Sequence, residues 1–247
     1  MNINIMELPD WLGSDDLSLE VNPYLSLIKK VFGINDDIFY DEIERKINLN
    51  MFSDSERVIL KNLIETNDLT KNSLLISAIQ SNCPIDKITK LISWFDFEKL
   101  TGVILDKSGW EVSLNFRYFG EGGQNINRSR FEVDVFAWKK PFVLLIDNKR
   151  HAKTSPSYLN DAIEKQKKRL YELFEMIPII HELPEMTWTK KWEKALLVPL
   201  IVTWKDHEII DINNTPIVSS KSLRDVITNF RYYFDNKSWF HLIWEPI

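Results

Sequence analysis

The stretch FEVDVFAWKKPFVLLIDNKR, residues 131–150, decides how this chain is read. Residues 131–138 read as one strand, Lys139-Lys140-Pro141 as a tight turn, and residues 142–149 as a second strand running back beside the first. The four apolar residues Val143 to Ile146 follow one another without a polar break. A strand of that kind is covered on both faces, so helices are expected on each side of the sheet. Side chains alternate faces with period two, which puts Asp147 and Lys149 on one face and Asn148 on the other. On the preceding strand Asp134 shares its face with Glu132 and Phe136. Asp134 lies 13 residues before Asp147, a spacing that lets a hairpin bring the two acids near each other. Neighbouring carboxylates raise each other's pKa unless a cation neutralises them. Two readings of Asp147 and Lys149 stay open at this point: a surface ion pair at a strand end, or part of a cation-binding site.

An acid two residues before a lysine is a weak signal alone. It also occurs at Glu44-Arg45-Lys46 and Asp235-Asn236-Lys237. Only the copy at 147–149 ends an apolar strand that follows another strand with a central Asp.

Working outward, a helix is expected from about Asp96, with Phe97, Leu100, Ile104 and Leu105 on its apolar side and a stop at Lys107-Ser108-Gly109. A half-buried strand follows at 110–116, then a glycine-rich loop at 120–123. After the hairpin come a basic helix at 158–176, an apolar strand at 195–203 and a strand-helix pair at 216–234. Residues 178–192, rich in Pro and Trp, carry no readable period. Helix, three strands, helix, strand is a compact α/β plan. Ahead of it, residues 54–65 and 71–80 show helical spacing, and Pro84 opens a third apolar stripe at Ile85, Ile88, Leu91 and Ile92. Three short helices joined by tight turns form a helix-turn-helix-like unit at about 54–93. That unit reads equally as a DNA reader or as a packing or dimerisation module. The expected domains are therefore 1–93, helical, and 94–247, α/β.

Composition narrows the chemistry. Of 247 residues, 44% are hydrophobic and 27% charged, the balance of a globular chain. The longest apolar run, ALLVPLIVTW at 195–204, is too short for a membrane helix, and no secretory signal is visible. One cysteine, Cys83, rules out an internal disulfide framework and a cysteine-rich zinc site. With four scattered histidines, this points to a reducing cytoplasm and to a hard cation held by oxygen. The net charge of −5 argues against a polyanionic partner, yet the charge is uneven. Residues 1–65 hold 6 Lys/Arg against 13 Asp/Glu, a balance of −7, whereas residues 126–170 hold 11 against 5, a balance of +6. A polyanion responds to the local field. The bland reading of the basic helix is a solvated face.

The stretches FEKLTGVILDKSGWEV (from Phe97), FEVDVFAW (from Phe131) and FVLLIDNKRHAK (from Phe142) together resemble the PD-(D/E)xK nuclease superfamily. The likeness spans about residues 94–230 and leans toward archaeal restriction-endonuclease-like and Holliday-junction-resolvase-like proteins, some of which carry a helix-turn-helix ahead of the core. The resemblance implies an α-β-β-β-α-β core with a mixed sheet flanked by helices. It assigns Asp134 to the acid of the second strand, Asp147 and Lys149 to the half-motif of the third, Glu98 to the acid of the first helix, and Gln166 to a glutamine of the following helix. Two positions depart from the pattern: Val133 stands where the motif name has proline, and Asn148 is polar where a hydrophobic residue is usual.

The activity so implied is metal-dependent endonuclease hydrolysis of DNA phosphodiesters, on duplex or branched DNA. Asp134 and Asp147, with Glu98, would hold Mg²⁺ or Mn²⁺, and Lys149 would orient the attacking water or stabilise charge on phosphate oxygens. Gln166 would hydrogen-bond that water or the backbone. Arg128, Arg130, Arg150, Lys153, Lys165, Lys167, Lys168 and Arg169 are candidates for phosphate contact. Cutting both strands would favour a homodimer. The rival reading is an inactive nuclease-fold subunit acting as a DNA-binding or protein-interaction scaffold. Each residue has a structural alternative as well: Glu98 sits where a helix dipole favours acids, Glu132 is an accessory acid or a surface one, and His151 is a proton carrier or a solvent-facing side chain.

Overall fold

The computed structural model describes residues 22–120, 130–149, 156–204 and 208–246. Contacts divide the chain into two compact units, one ending at Cys83 and the other beginning at Pro84.

The smaller unit is helical: α1 (Pro23–Val31), α2 (Phe39–Asn48), α3 (Asp54–Glu65) and α4 (Lys71–Gln80). Its helix starts are fixed by side chains that take up otherwise orphaned backbone N–H groups. Asn22 caps α1, with Pro23 in the first turn, and Ser53 with Glu56 forms a capping box on α3. Glu56 is buried, and Lys30 Nζ meets its carboxylate at 2.7 Å. Leu27, Ile28, Ile43, Leu60 and Leu74 are fully enclosed and form the unit's interior.

The third helix expected in the helix-turn-helix-like unit, α5 (Ile85–Leu91), falls in the larger unit, where it packs against α8 (Ser220–Thr228). The boundary thus lies after Cys83 rather than after residue 93. An apolar stripe records that a helix is buried, and nothing in its period names the surface that buries it.

In the larger unit the order is α5, α6 (Trp94–Lys107), β1 (Glu111–Phe119), β2 (Arg130–Lys139), β3 (Phe142–Lys149), α7 (Pro156–Ile180), a 3-10 segment (Pro184–Lys190), β4 (Ala195–Thr203), β5 (Ile210–Ile212), β6 (Thr215–Ser219), α8, α9 (Phe230–Lys237) and β7 (Leu242–Trp244). The strands form one sheet in the order β1-β2-β3-β4-β6-β5. β1, β2 and β3 are a meander of antiparallel neighbours, and β3, β4 and β6 run parallel. The first half of β4 pairs with β7 and its second half with β6, so two short strands share one edge. This is an α/β fold with a mixed sheet and helices on its faces. Among the described residues no helix is long and apolar enough to cross a membrane.

β3 lies at the centre, and residues Phe142 to Ile146 are buried on both faces. Leu145 and Phe136 face α7 with Leu170, Leu173 and Ile177 in one core cluster. α6 covers the other face, where Gly102 comes so near β1 that an added Cβ would lie 2.9 Å from the Leu114 side chain. Residues 178–192, unreadable in sequence, complete the end of α7 and form the 3-10 segment, which buries Met186 and Trp188 in the α7-side cluster.

Asn148, the polar residue in a hydrophobic place, is fully buried and points toward α6. Its Nδ2 donates to Thr101 Oγ1 (2.9 Å) and to the Phe97 carbonyl (3.4 Å). The amide therefore ties β3 to α6 by a buried polar pair. Thr101→Val should strand that amide and destabilise the fold by about 1–3 kcal/mol, whereas the double variant Thr101→Val/Asn148→Leu should recover part of the loss. Urea unfolding checks this, and a Thr101→Val midpoint equal to the parent's would remove the anchoring role.

Candidate functional site

The site lies where β2 and β3 part. Their ladder runs from Lys139 opposite Phe142 to Val135 opposite Ile146 and stops there. One step further the same register would set Asp134 against Asp147. In place of a β2 backbone carbonyl, the Asp134 carboxylate accepts from the Asn148 backbone N–H, Oδ2 to N 2.8 Å. A side chain thus closes the ladder. On β1, the register skips Asn115, the residue across from Asp134, which has φ of 53°. Asn tolerates this left-handed conformation better than most residues, and the pairing resumes in the same register beyond it, Phe116 opposite Val133.

Asp147 is 3% exposed and is gripped from two sides. Lys149 Nζ lies 2.6 Å from Oδ2, and Arg169 Nη1 donates to Oδ1 at 2.8 Å. The Lys149 contact is an ion pair without the alignment of a good hydrogen bond. The same Arg169 nitrogen donates to Gln166 Oε1 at 2.8 Å, and Gln166 Nε2 donates to the Leu145 carbonyl at 2.7 Å. Gln166 is fully buried, so α7 is keyed to β3 by a chain of polar contacts that ends on Asp147.

Glu98 comes from α6. Ser93 caps that helix with Asp96 as the reciprocal acid, so the helix begins at Trp94 and Glu98 lies beyond its first turn. The dipole explanation for an acid there belongs to Asp96. Glu98 is buried, and the Trp94 indole N–H donates to its Oε1. Burial, with the charge of Asp134 next and smaller contributions from Glu132 and Asp147, pushes its pKa up to about 7 against the indole bond, which lowers it. Asp134 is pushed up to about 6, by burial first and the charge of Asp147 second, against the Asn148 N–H, Lys149 and Arg169. These acids therefore sense one another across the wedge. They do not close around a common point: among the described residues no group of three or more His, Cys, Asp or Glu stands ready to hold a metal.

The remaining candidates divide. Arg128, Arg150, Lys153 and His151 lie outside the described residues. Arg130 and Lys165 are exposed, as is Lys168. Lys167 is engaged elsewhere, donating to the Asn213 carbonyl at 2.9 Å and resting over the Phe240 ring. Glu132 pairs with Arg117 at 2.8 Å, which lowers its pKa and makes it a surface acid. Arg169, expected among the outer phosphate contacts, is instead an inner partner of Asp147. Trp94 and Thr101 were not singled out from sequence. The spacing of Gln166 and Arg169, three residues apart on one helix face, was the available signal for the arginine.

No family model matches this chain, and no curated protein matches it. Among solved structures, the crystal structure of protein VC1899 from Vibrio cholerae is similar with a TM-score of 0.33 and 12% identity over 88% of this chain. The chain spans about half (52%) of that protein's length, and at such a score the likeness carries no argument.

The raised acids set a pH dependence. Asp134 moves from 3.8 to about 6 and Glu98 from 4.5 to about 7, so between those limits the folded state binds more protons than the unfolded one. Stability then falls as pH rises through the window. The melting temperature should be higher at about pH 5 than at about pH 7 in metal-free buffer, both within the range spanned by these values. Asp134→Asn and Glu98→Gln should each flatten that profile. A parent protein whose stability climbs across the window would contradict the assignment.

Proposed function

We propose that the larger unit is a metal-dependent nuclease domain of the PD-(D/E)xK kind, with a restriction-endonuclease-like core, acting on DNA phosphodiesters. The observation that carries the reading is the wedge itself. Asp134 and Asp147 stand at the open end of two neighbouring strands, with Lys149 beside Asp147. The element order α6-β1-β2-β3-α7-β4 supports it as well.

The donor set fits a hard cation. Asp134 is held above its ordinary pKa partly by the charge of Asp147, a strain that a bound cation relieves. Magnesium typically uses one or two carboxylates and keeps several waters, so two acids suffice. Asp134 and Asp147 would hold it, and Glu98 would act from further out through a water. When bound, Mg²⁺ or Mn²⁺ polarises the phosphate and acidifies a coordinated water.

The chain's own groups do the rest. The Asn148 N–H keeps one Asp134 oxygen fixed while leaving the other for a ligand. Arg169, held by Gln166, orients Asp147. Lys149 is about a quarter exposed, so its ammonium can turn from Asp147 to an incoming phosphate and stabilise charge building on its oxygens. Glu98, titrating near 7, accepts or returns a proton at neutral pH.

Supercoiled plasmid and a four-way DNA junction, incubated with the full chain and Mg²⁺ or Mn²⁺, should be nicked. Lys149→Ala and Asp147→Asn should each lower the rate by about 10²–10³-fold, the range seen for loss of one charge-stabilising group. Millimolar Mg²⁺ should also raise the melting temperature of the parent and not of Asp134→Asn. Cleavage by Lys149→Ala at the parent rate would sink the proposal. DNA retention that weakens with salt, without cleavage under either ion, would favour the inactive scaffold instead.

A further inference from the structure

At the other end of the β2–β3 hairpin the chain builds a second polar recess. The turn Lys139 to Phe142, Trp110 ahead of β1 and the elbow between α8 and α9 enclose an open cavity of about 160 Å³. Its floor is aromatic. Phe230 meets Trp110 edge-on at 5.5 Å and Phe142 at 5.1 Å, and all three rings are buried. Its rim carries Lys139, Lys140 and Arg231, and among the described residues no acid lines it.

Three cations around so small a volume repel one another, and little inside the protein offsets them. Lys139 Nζ donates to the Ser108 carbonyl at 2.8 Å, near the end of α6, which pins its position and leaves its charge. Arg231 lies over the Phe142 ring at 5.4 Å, an arrangement that holds the guanidinium plane steady. It approaches Asp235 only loosely, at 3.9 Å, with both side chains more than half exposed, and such a contact contributes little. Lys140 is exposed and extends from the turn itself.

We infer that this recess binds the dianionic phosphoryl group of a phosphate monoester. A carboxylate would neutralise one of the three cations, whereas a phosphoryl dianion offers three oxygens and nearly two charges near neutral pH. Arg231 supplies the planar fork that meets two of those oxygens, and the two lysines supply point charges. The volume suits a phosphoryl group with a small organic part against the rings and is too small for a drug-sized ligand, which needs roughly 300 Å³ or more. The rest of a larger molecule would project through the open side. The monoester is either a free small molecule or the terminal phosphate of a nucleic acid; both present the same chemistry to the site.

The inference does not rest on the nuclease reading. Phe142 and Lys149 are the two ends of β3, seven residues apart and thus separated by about 23 Å at a strand's rise per residue. Each site can therefore be lost without the other.

The test is calorimetric titration of the full chain, in chelator and at matched ionic strength, with inorganic phosphate, phenyl phosphate, and a short oligonucleotide carrying either a 5′-phosphate or a 5′-hydroxyl. Phosphate and phenyl phosphate should bind, and Arg231→Gln and Lys140→Glu should each weaken them by at least about tenfold. Lys149→Ala should bind them as the parent does. A preference for the 5′-phosphorylated oligonucleotide that Arg231→Gln abolishes identifies a nucleic-acid end as the source; binding of the free monoesters alone identifies a small molecule. Lys140→Glu, a change in an exposed turn, decides the matter if Arg231→Gln fails to fold. Absence of heat from every phosphate probe at about 10 mM, ten times a millimolar Kd, overturns the inference. So does binding that both variants leave unchanged.

Discussion

The arrangement of this α/β unit turns on one hydrogen bond: the Asp134 carboxylate accepting from the backbone N–H of Asn148. Buried amide groups must find partners, and β-strands normally supply them to each other. Where β2 stops doing so, β3 would be left with an unpaired donor in the middle of a sheet. Asp134 supplies the acceptor from a side chain and so allows the strands to separate without an orphaned donor there. The ladder between the two strands ends there, just before Asp147 and Lys149 on β3. On the other side of β3 the parallel ladder with β4 continues to Lys149 opposite Thr203, so the strand end is held straight while its neighbour departs.

The electrostatics follow from that geometry. Asp147, almost wholly buried, has two cations in contact, Lys149 and Arg169. Burying a carboxylate without a partner is costly, and this pairing is the fold's answer for Asp147. Among the described residues Asp134 accepts a hydrogen bond from a backbone amide and Glu98 from an indole, and both sit at raised pKa values. A purely structural core would replace such residues with apolar ones at no loss of packing. Two incompletely neutralised acids next to a third form the kind of perturbed cluster that functional sites and structural ion networks share.

Much of this was legible in sequence because it is local. Alternation, the Lys139–Pro141 turn and the unbroken apolar run of β3 specify the hairpin and the central strand, and the antiparallel register agrees with them. The distance from Asp134 to Asp147 needed only that register. What was not legible is tertiary. Asn148 reads as a flaw in the strand until Thr101, 47 residues away, is seen to receive it. Arg169 reads as one cation among four in a basic helix, since the phase that turns it inward is set by the packing of Leu170 and Leu173. α5 shows its apolar stripe plainly, yet its partner, α8, comes from the far end of the chain. The acidic total of the chain argues neither for nor against a polyanionic partner, because a sum over 247 residues has no bearing on a field that decays within about 8–10 Å.

That decay length has a further consequence for the hairpin. Its turn carries Lys139 and Lys140 with Arg231 nearby, and its open end carries Asp134, Asp147 and Lys149. Opposite charge at the two ends of one strand looks like compensation, but the separation of about 23 Å exceeds two screening lengths at physiological salt. The acids cannot offset the repulsion among the three rim cations, and those cations cannot lower the pKa of Asp134 or Glu98. Each cluster must be balanced locally. At the wedge the balance comes in part from Lys149 and Arg169, leaving an unmet demand for positive charge. At the turn it comes in part from a helix-end carbonyl and an aromatic face, leaving an unmet demand for negative charge. The apolar run Phe142 to Ile146 keeps the two demands apart, so that each end of the hairpin can meet a ligand of the opposite sign.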